Sequence, residues 1–182
     1  DTKLEPHDKK LIESVISFQD LIAREIMVPR VDLFSLPIDT TIKVAAKRLQ
    51  EEGYSRTPVY KGTIDQIAGL LMYKDILVKY MEAEEKKDPH ILNQSIETIL
   101  KPVLYTPETK RISHLLQEFR KRQMHLAIVV DEYGGTEGIV TIEDILEVLV
   151  GDIEDEYDTE EEEYTRLSDG SFIVDPRMSI ID

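Results

Sequence analysis

The feature that most constrains this chain is that it carries the same pattern twice. Shifted by 70 residues, Pro37 to Tyr60 lies over Pro107 to Val130 without a gap, so that Pro37 meets Pro107, Ile42 meets Ile112, Leu49 meets Phe119 and Val59 meets Val129. After one deletion, a shift of 69 sets Gly69-Leu70-Leu71 on Gly138-Ile139-Val140 and Asp75-Ile76-Leu77 on Asp144-Ile145-Leu146. A unit of about fifty residues cannot cover both faces of a sheet by itself. The two copies are therefore expected to pack on each other as a pseudo-twofold α+β module.

Periodicity gives each copy the order β-α-β-β-α. Leu33 to Leu36 reads as a short strand stopped by Pro37, after which Asp39 or Thr40 can cap a helix with the stripe Ile42, Ala45, Ala46 and Leu49, ended by Gly53. Strands follow over Thr57 to Tyr60 and Ile67 to Met72, separated by a turn at Lys61-Gly62-Thr63, and a helix begins at Lys74. The second copy repeats this with strands over Val103 to Tyr105, Leu126 to Val130 and Gly138 to Thr141, and helices over Ile112 to Arg122 and Ile142 to Val150. Gly134 and Gly135 sit in its turn, as a tight reversal needs. Ahead of the copies, Leu11, Val15, Phe18 and Ile22 recur at helical spacing and predict an amphipathic lead-in helix over 1–26. The copies then span 27–80 and 99–151, joined by a polar stretch over 81–98 in which Pro89 and Asn93 oppose a long helix.

Charge and composition narrow the function. The formal charge of −15 repels an extended phosphate backbone, which argues against a nucleic-acid partner. Much of it sits in 152–163, DIEDEYDTEEEE, with nine acids and no base, which reads as a solvated linker; without a glycine, that run is a poor cation cage. The absence of cysteine excludes disulfides, thiolate nucleophiles and zinc–thiolate sites and fits a reducing compartment. No run of eighteen apolar residues occurs, and the first residues lack the pattern of a signal peptide, so the chain as given is expected to be soluble. His7, His90, His114 and His125 show no metal-ligand spacing, which leaves catalysis with little to stand on.

Two clusters could carry chemistry. In the second copy Thr141 ends a strand and Asp144 follows three residues on, at the start of a helix. Such a carboxylate can accept two bonds from vicinal ribose hydroxyls, while the threonine hydroxyl and free helix amides donate to phosphate. The plainer alternative is that the pair caps the helix. The first copy has Met72 in place of the threonine, beside Asp75. The other cluster is Gly53-Tyr54-Ser55-Arg56-Thr57-Pro58-Val59, where Tyr54 offers a flat face to a base and Arg56 a planar fork to phosphate, or simply a helix end followed by an exposed arginine.

The duplicated unit, with Gly53 to Val59 in one copy and Gly138-Ile-Val-Thr-Ile-Glu-Asp144 in the other, resembles paired CBS domains. Glu25-Ile26-Met27-Val28-Pro29-Arg30, the stretch Met124 to Gly135 and Glu147 to Ile153 are similar to the CorC/HlyC-type subgroup, the hemolysin-related magnesium and cobalt transport proteins akin to the cyclin M proteins. That resemblance implies a regulatory module that binds ATP or AMP, with Mg2+ accompanying the nucleotide. Thr141 and Asp144 would hold phosphate and ribose, the Met27 to Arg30 turn containing Val28 would flank adenine with Phe34, and Tyr54 and Ser55 would close the pocket beside Arg56. Val28 stands where some relatives carry a hydroxyl residue. The resemblance further implies a homodimer, and a parent protein whose membrane domain precedes the module at the cytoplasmic face. It also implies a transporter-associated domain whose opening lies in 164–182. A dimerisation module with no ligand is the alternative.

Overall fold

The computed structural model describes residue 3 and residues 5–151; the acidic run and residues 164–182 lie outside them. Helix α1 (Pro6–Asp20) and the short α2 (Ala23–Ile26) lead into β1 (Val28–Pro29), a 3-10 turn (Arg30–Asp32) and β2 (Leu36–Pro37). The first copy continues through α3 (Ile42–Glu52), β3 (Arg56–Lys61), β4 (Thr63–Met72) and α4 (Tyr73–Glu85). The second runs through β5 (Leu104–Pro107), α5 (Ile112–Arg122), β6 (Leu126–Val130), β7 (Thr136–Thr141) and a helix over 142–151, here α6. The order predicted from periodicity is observed in both copies.

Each copy builds a small mixed sheet. In the first, β2 runs parallel to β3 and β3 antiparallel to β4; in the second, β5 runs parallel to β6 and β6 antiparallel to β7. The helical stripes pack on these sheets to form one core around Ile42, Ala45, Leu49, Val59, Leu71 and Ile76, and another around Ile112, Leu115, Phe119, Val129, Val140 and Ile145. A third cluster joins the copies: Ile67 and Leu70 of β4 meet Leu126 and Ile128 of β6. At about 1.5–3 kcal/mol per fully buried aliphatic side chain, this shared layer is what makes two marginal units one stable one.

The copies also exchange their leading segments. β1 pairs antiparallel with β7 of the second copy, and Ala23 N and Arg24 N donate to Lys110 O and Glu108 O at 2.8 and 3.0 Å. Reciprocally, Lys101 bridges to Leu70 of the first copy, while Ile42 N donates to Gln94 O at 2.9 Å and Ile96 N to Thr40 O at 2.9 Å. The stretch that links the copies is thus packed structure, two 3-10 turns (Pro89–Asn93 and Ile96–Ile99) that bury Ile91 and Ile96.

Three local readings change. The strand expected over Leu33 to Leu36 shrinks to Leu36–Pro37, because Arg30–Asp32 coils and Phe34 serves as a packing side chain without a ladder partner. The N-cap of α3 is Thr41, whose side chain accepts from Val44 N at 3.3 Å; Thr40 instead donates to Pro37 O. Ile22 leaves the lead-in helix, which ends at Asp20, and bridges to Arg111. Gly53 does end α3 in the left-handed region, at φ 76°.

Candidate functional site

The site forms where β1 crosses the second copy. Val28 lies opposite Ile139 and Pro29 opposite Gly138. A Cβ on Gly138 would stand 2.2 Å from Val28 O, so only glycine lets the strands approach this closely. Its counterpart Gly69 does the same for the reciprocal crossing, where a Cβ would meet Leu100 Cβ at 2.9 Å. The glycine that leads each repeated Gly-to-Asp segment is therefore a crossing point for backbone, a role that the repeat marked but did not explain.

Two residues beyond Ile139, β7 ends at Thr141 and α6 begins. Asp144 N donates to Thr141 Oγ1 at 3.1 Å, and Thr141 N donates to Asp144 Oδ2 at 3.0 Å. This reciprocal box satisfies two of the amides that a helix start leaves open. Both residues are half-buried. The first copy cannot do this: Met72 caps α4 without any side-chain bond, and Asp75 Oδ2 is buried with no hydrogen-bond partner among the described residues. The Met72-for-Thr141 difference therefore has a direct structural effect.

Arg56 opens β3 opposite Met72 and reaches over the seam, where its Nη1 donates to Glu143 Oε1 at 2.9 Å. A guanidinium from one copy is thereby held beside the Thr141–Asp144 turn of the other. Glu143, in the first turn of α6, was not singled out from the sequence, although an acid at a helix start beside Asp144 was visible there. Ser55 is exposed at the mouth of the same seam, and its carbonyl accepts from Tyr73 N at 2.9 Å. Phe34 and Tyr54 stack on each other, with ring centroids 5.7 Å apart and planes 19° from parallel, and the Arg48 guanidinium lies over the Phe34 ring, 5.5 Å from its centroid. Arg30, which opens the 3-10 turn after β1, is engaged by Asp65 and by Thr136 O at 3.1 Å. The Arg30 hydrogen bond, followed by one from Thr136 N, holds the Asp65 carboxyl below its ordinary range.

Val28, Arg56, Thr141 and Asp144 thus converge on the crossing, whereas Phe34 and Tyr54 form a separate stack on the first copy. A cavity of about 590 Å³ opens between the copies, and of the predicted residues Ser55 and Arg56 line it. Its volume falls in the range of small-molecule sites. Chemically, the crossing offers a carboxylate, a hydroxyl, a helix start and a guanidinium drawn from both copies, which suits a hydroxylated phosphate ester.

Comparison with known proteins is consistent with this geometry. The CBS domain family profile matches residues 22–82 and 96–151. The chain is 42% identical over 175 residues to Hemolysin C of Brachyspira hyodysenteriae, covering 96% of this chain and 62% of that protein. It is 38% identical over 175 residues to the magnesium and cobalt efflux protein CorC of Escherichia coli K12, covering 96% and 58%. The chain therefore spans about three fifths of the length of these relatives. Among solved structures, the CBS domain of the bacterial CNNM/CorC family Mg2+ transporter in complex with ATP superimposes with a TM-score of 0.72 at 36% identity, covering 80% of this chain and 99% of that one.

Proposed function

The chain belongs to the CBS domain family as a tandem pair of the CNNM/CorC type, and from that premise we propose that it is a regulatory module that binds an adenine nucleotide across its two copies. The observation that carries this reading is Arg56 of the first copy held at 2.9 Å from Glu143, beside the Thr141–Asp144 turn of the second. Phosphate can replace Glu143 as the partner of Arg56. The Asp144 carboxylate can exchange its bond to Thr141 N for ribose hydroxyls, and Thr141 Oγ1 and the α6 amides then donate to phosphate. The base would lie between Val28 and Phe34 once Tyr54 leaves its stack on Phe34 to close the pocket. A nucleotide that contacts both copies stabilises their closed arrangement by its own binding free energy, which makes the module a sensor. The ATP complex of the CNNM/CorC neighbour supports the nucleotide class.

In the parent protein this module would sit at the cytoplasmic face of the membrane and gate a magnesium or cobalt transport domain, as the CorC relative suggests. No helix among the described residues is long and apolar enough to cross a membrane. Mg2+ is expected to favour ATP, because Glu143 and Asp144 place negative charge where the phosphates would lie. The second reading, a ligand-free dimerisation module, is favoured by the mutual satisfaction of Thr141 and Asp144 and of Phe34 and Tyr54. Calorimetric titration with AMP, ADP and ATP, with and without Mg2+, separates the two. Saturable micromolar binding supports the sensor, and no heat at millimolar nucleotide leaves the dimerisation module standing.

A further inference from the structure

The two copies cover their outer helices unequally. On the second, Phe18 of α1 is buried in the core beside Leu115 and Phe119 of α5 and Ile145 of α6, and Leu116 and Leu149 pack against the same cluster. By the shifts of 70 and 69, Leu116 and Leu149 correspond to Ala46 and Tyr80 of the first copy. There a groove of about 350 Å³ lies between α3 and α4, lined by Ala46, Ile76, Leu77 and Tyr80. Lys43 and Lys47, one turn apart on α3, line it too, and both are exposed without an ion pair among the described residues. Lys43 stands in the first turn of α3, where a cation adds to the positive end of the helix dipole and no acid offsets it. In a chain with 37 acidic and 22 basic side chains, two uncompensated lysines beside apolar surface break a local rule without a structural return, which marks a functional position.

Such a groove suits a segment with many negative charges and a few apolar side chains. The chain itself carries one: residues 152–163 hold nine acids and no base, with Ile153 and Tyr157 among them and Tyr164 directly after. A run of like charge repels itself and gains most from cations that have no partner. Arg120 and Lys121 compete less well for it, because they lie in the last turn of α5 and already offset the negative end of its dipole. The segment starts where α6 ends. Twelve residues reach at most about 40 Å, close to the diameter of a compact chain of roughly 150 residues, so the groove is within range of the same molecule. A tether of this length supplies an effective concentration in the millimolar range, at which weak contacts suffice. We infer that the acidic segment 152–163 docks in the α3–α4 groove of its own molecule, with its carboxylates on Lys43 and Lys47 and its apolar side chains against Ala46 and Leu77. Docked there, it links the end of the second copy to the first, and salt releases it, because exposed ion pairs are screened.

The absence of cysteine gives a direct test, since a nitroxide attached after Thr159→Cys labels the acidic segment alone. In the full chain the label should at least halve the amide signals of Lys43, Lys47 and Gln50 relative to the reduced, diamagnetic sample. This broadening should disappear in Lys43→Glu/Lys47→Glu and in about 1 M salt, where charges more than about 3 Å apart are screened. Both lysines are exposed and a glutamate suits a helix start, so the double variant is expected to fold, as circular dichroism would verify. A second labelled variant, Glu160→Gln/Glu161→Gln/Glu162→Gln/Glu163→Gln, should reduce the broadening without any change to the groove. Undiminished signals at Lys43 and Lys47, equal broadening in the charge-reversed variant, or broadening centred on Arg120 and Lys121 would overturn the inference. Mixing isotope-labelled chain that lacks the nitroxide with nitroxide-bearing chain at natural abundance identifies the source. Broadening of the same amides in the mixture would put the segment of a second copy in the groove and overturn docking within one molecule, whereas its absence there, with broadening in the singly labelled chain, supports it.

Discussion

At the scale of single residues, Asp144 does two things that one substitution will expose together. Its Oδ2 accepts Thr141 N in the free protein, so Asp144→Ala should cost about 1 kcal/mol of stability as a lost cap. It should also weaken nucleotide binding tenfold or more, because charge-assisted bonds to ribose contribute about 1.5–3 kcal/mol each. Asp75→Ala should leave affinity nearly unchanged, and equal losses at both aspartates would refute the one-sided assignment. Gly138→Ala is expected to be worse than either for the fold, since its Cβ collides with backbone at Val28 O; thermal unfolding should report a loss of about 1–3 kcal/mol. Asp65 gives a pH signature. Its carboxyl is held low in the folded state by Arg30, so its contribution is present above the unfolded pKa of about 4 and is lost as pH falls through the folded value. Asp65→Asn should therefore flatten the acid limb of a stability profile measured by urea midpoints and leave the neutral region's slope unchanged. The reciprocal cap between Thr141 and Asp144 was legible from residue type and spacing. Glu143 and the stacking of Phe34 on Tyr54 were not, because their partners come from across the seam or from an irregular segment that no periodicity marks.

At the scale of elements, the helices were the most legible. α5 spans Ile112–Arg122 as predicted, since an apolar stripe at 112, 115 and 119 admits only one face to the core. The short strands were less so: β1 and β2 have two residues each and are defined by their partners rather than by their own sequence. α4 and α6 carry apolar side chains that none of the described residues covers, with Val78 58% and Met81 68% exposed on one and Leu146 44% and Val150 49% on the other. Repeat-related helices that each present an apolar stripe favour a symmetric partner. The homodimer proposed for this module should therefore dissociate in Met81→Glu/Leu146→Glu at high micromolar concentration, as read by sedimentation, whereas a monomeric parent chain under those conditions would rule that interface out.

At the scale of the whole molecule, the repeat predicted two packed copies but not the exchange of their leading segments. A shift of 70 residues compares like with like and says nothing of which copy a segment joins. Because β1 completes the sheet of the second copy and Ala23 is buried in its core, deleting residues 1–29 should loosen that copy first. Hydrogen exchange ought to rise in β7 and α5 before it rises in β3 and β4, and loss of protection in β3 and β4 instead would contradict the exchange. The same topology bears on the origin of the module. A gene carrying one copy would have made a protein whose leading strand had no sheet of its own to join, and two such molecules would have had to lend strands to each other. Duplication and fusion would turn a reciprocal loan between molecules into one within a chain. Symmetry would have given that ancestor two identical seams, and Met72 at the repeat position of Thr141 is a place where the two seams of this chain differ.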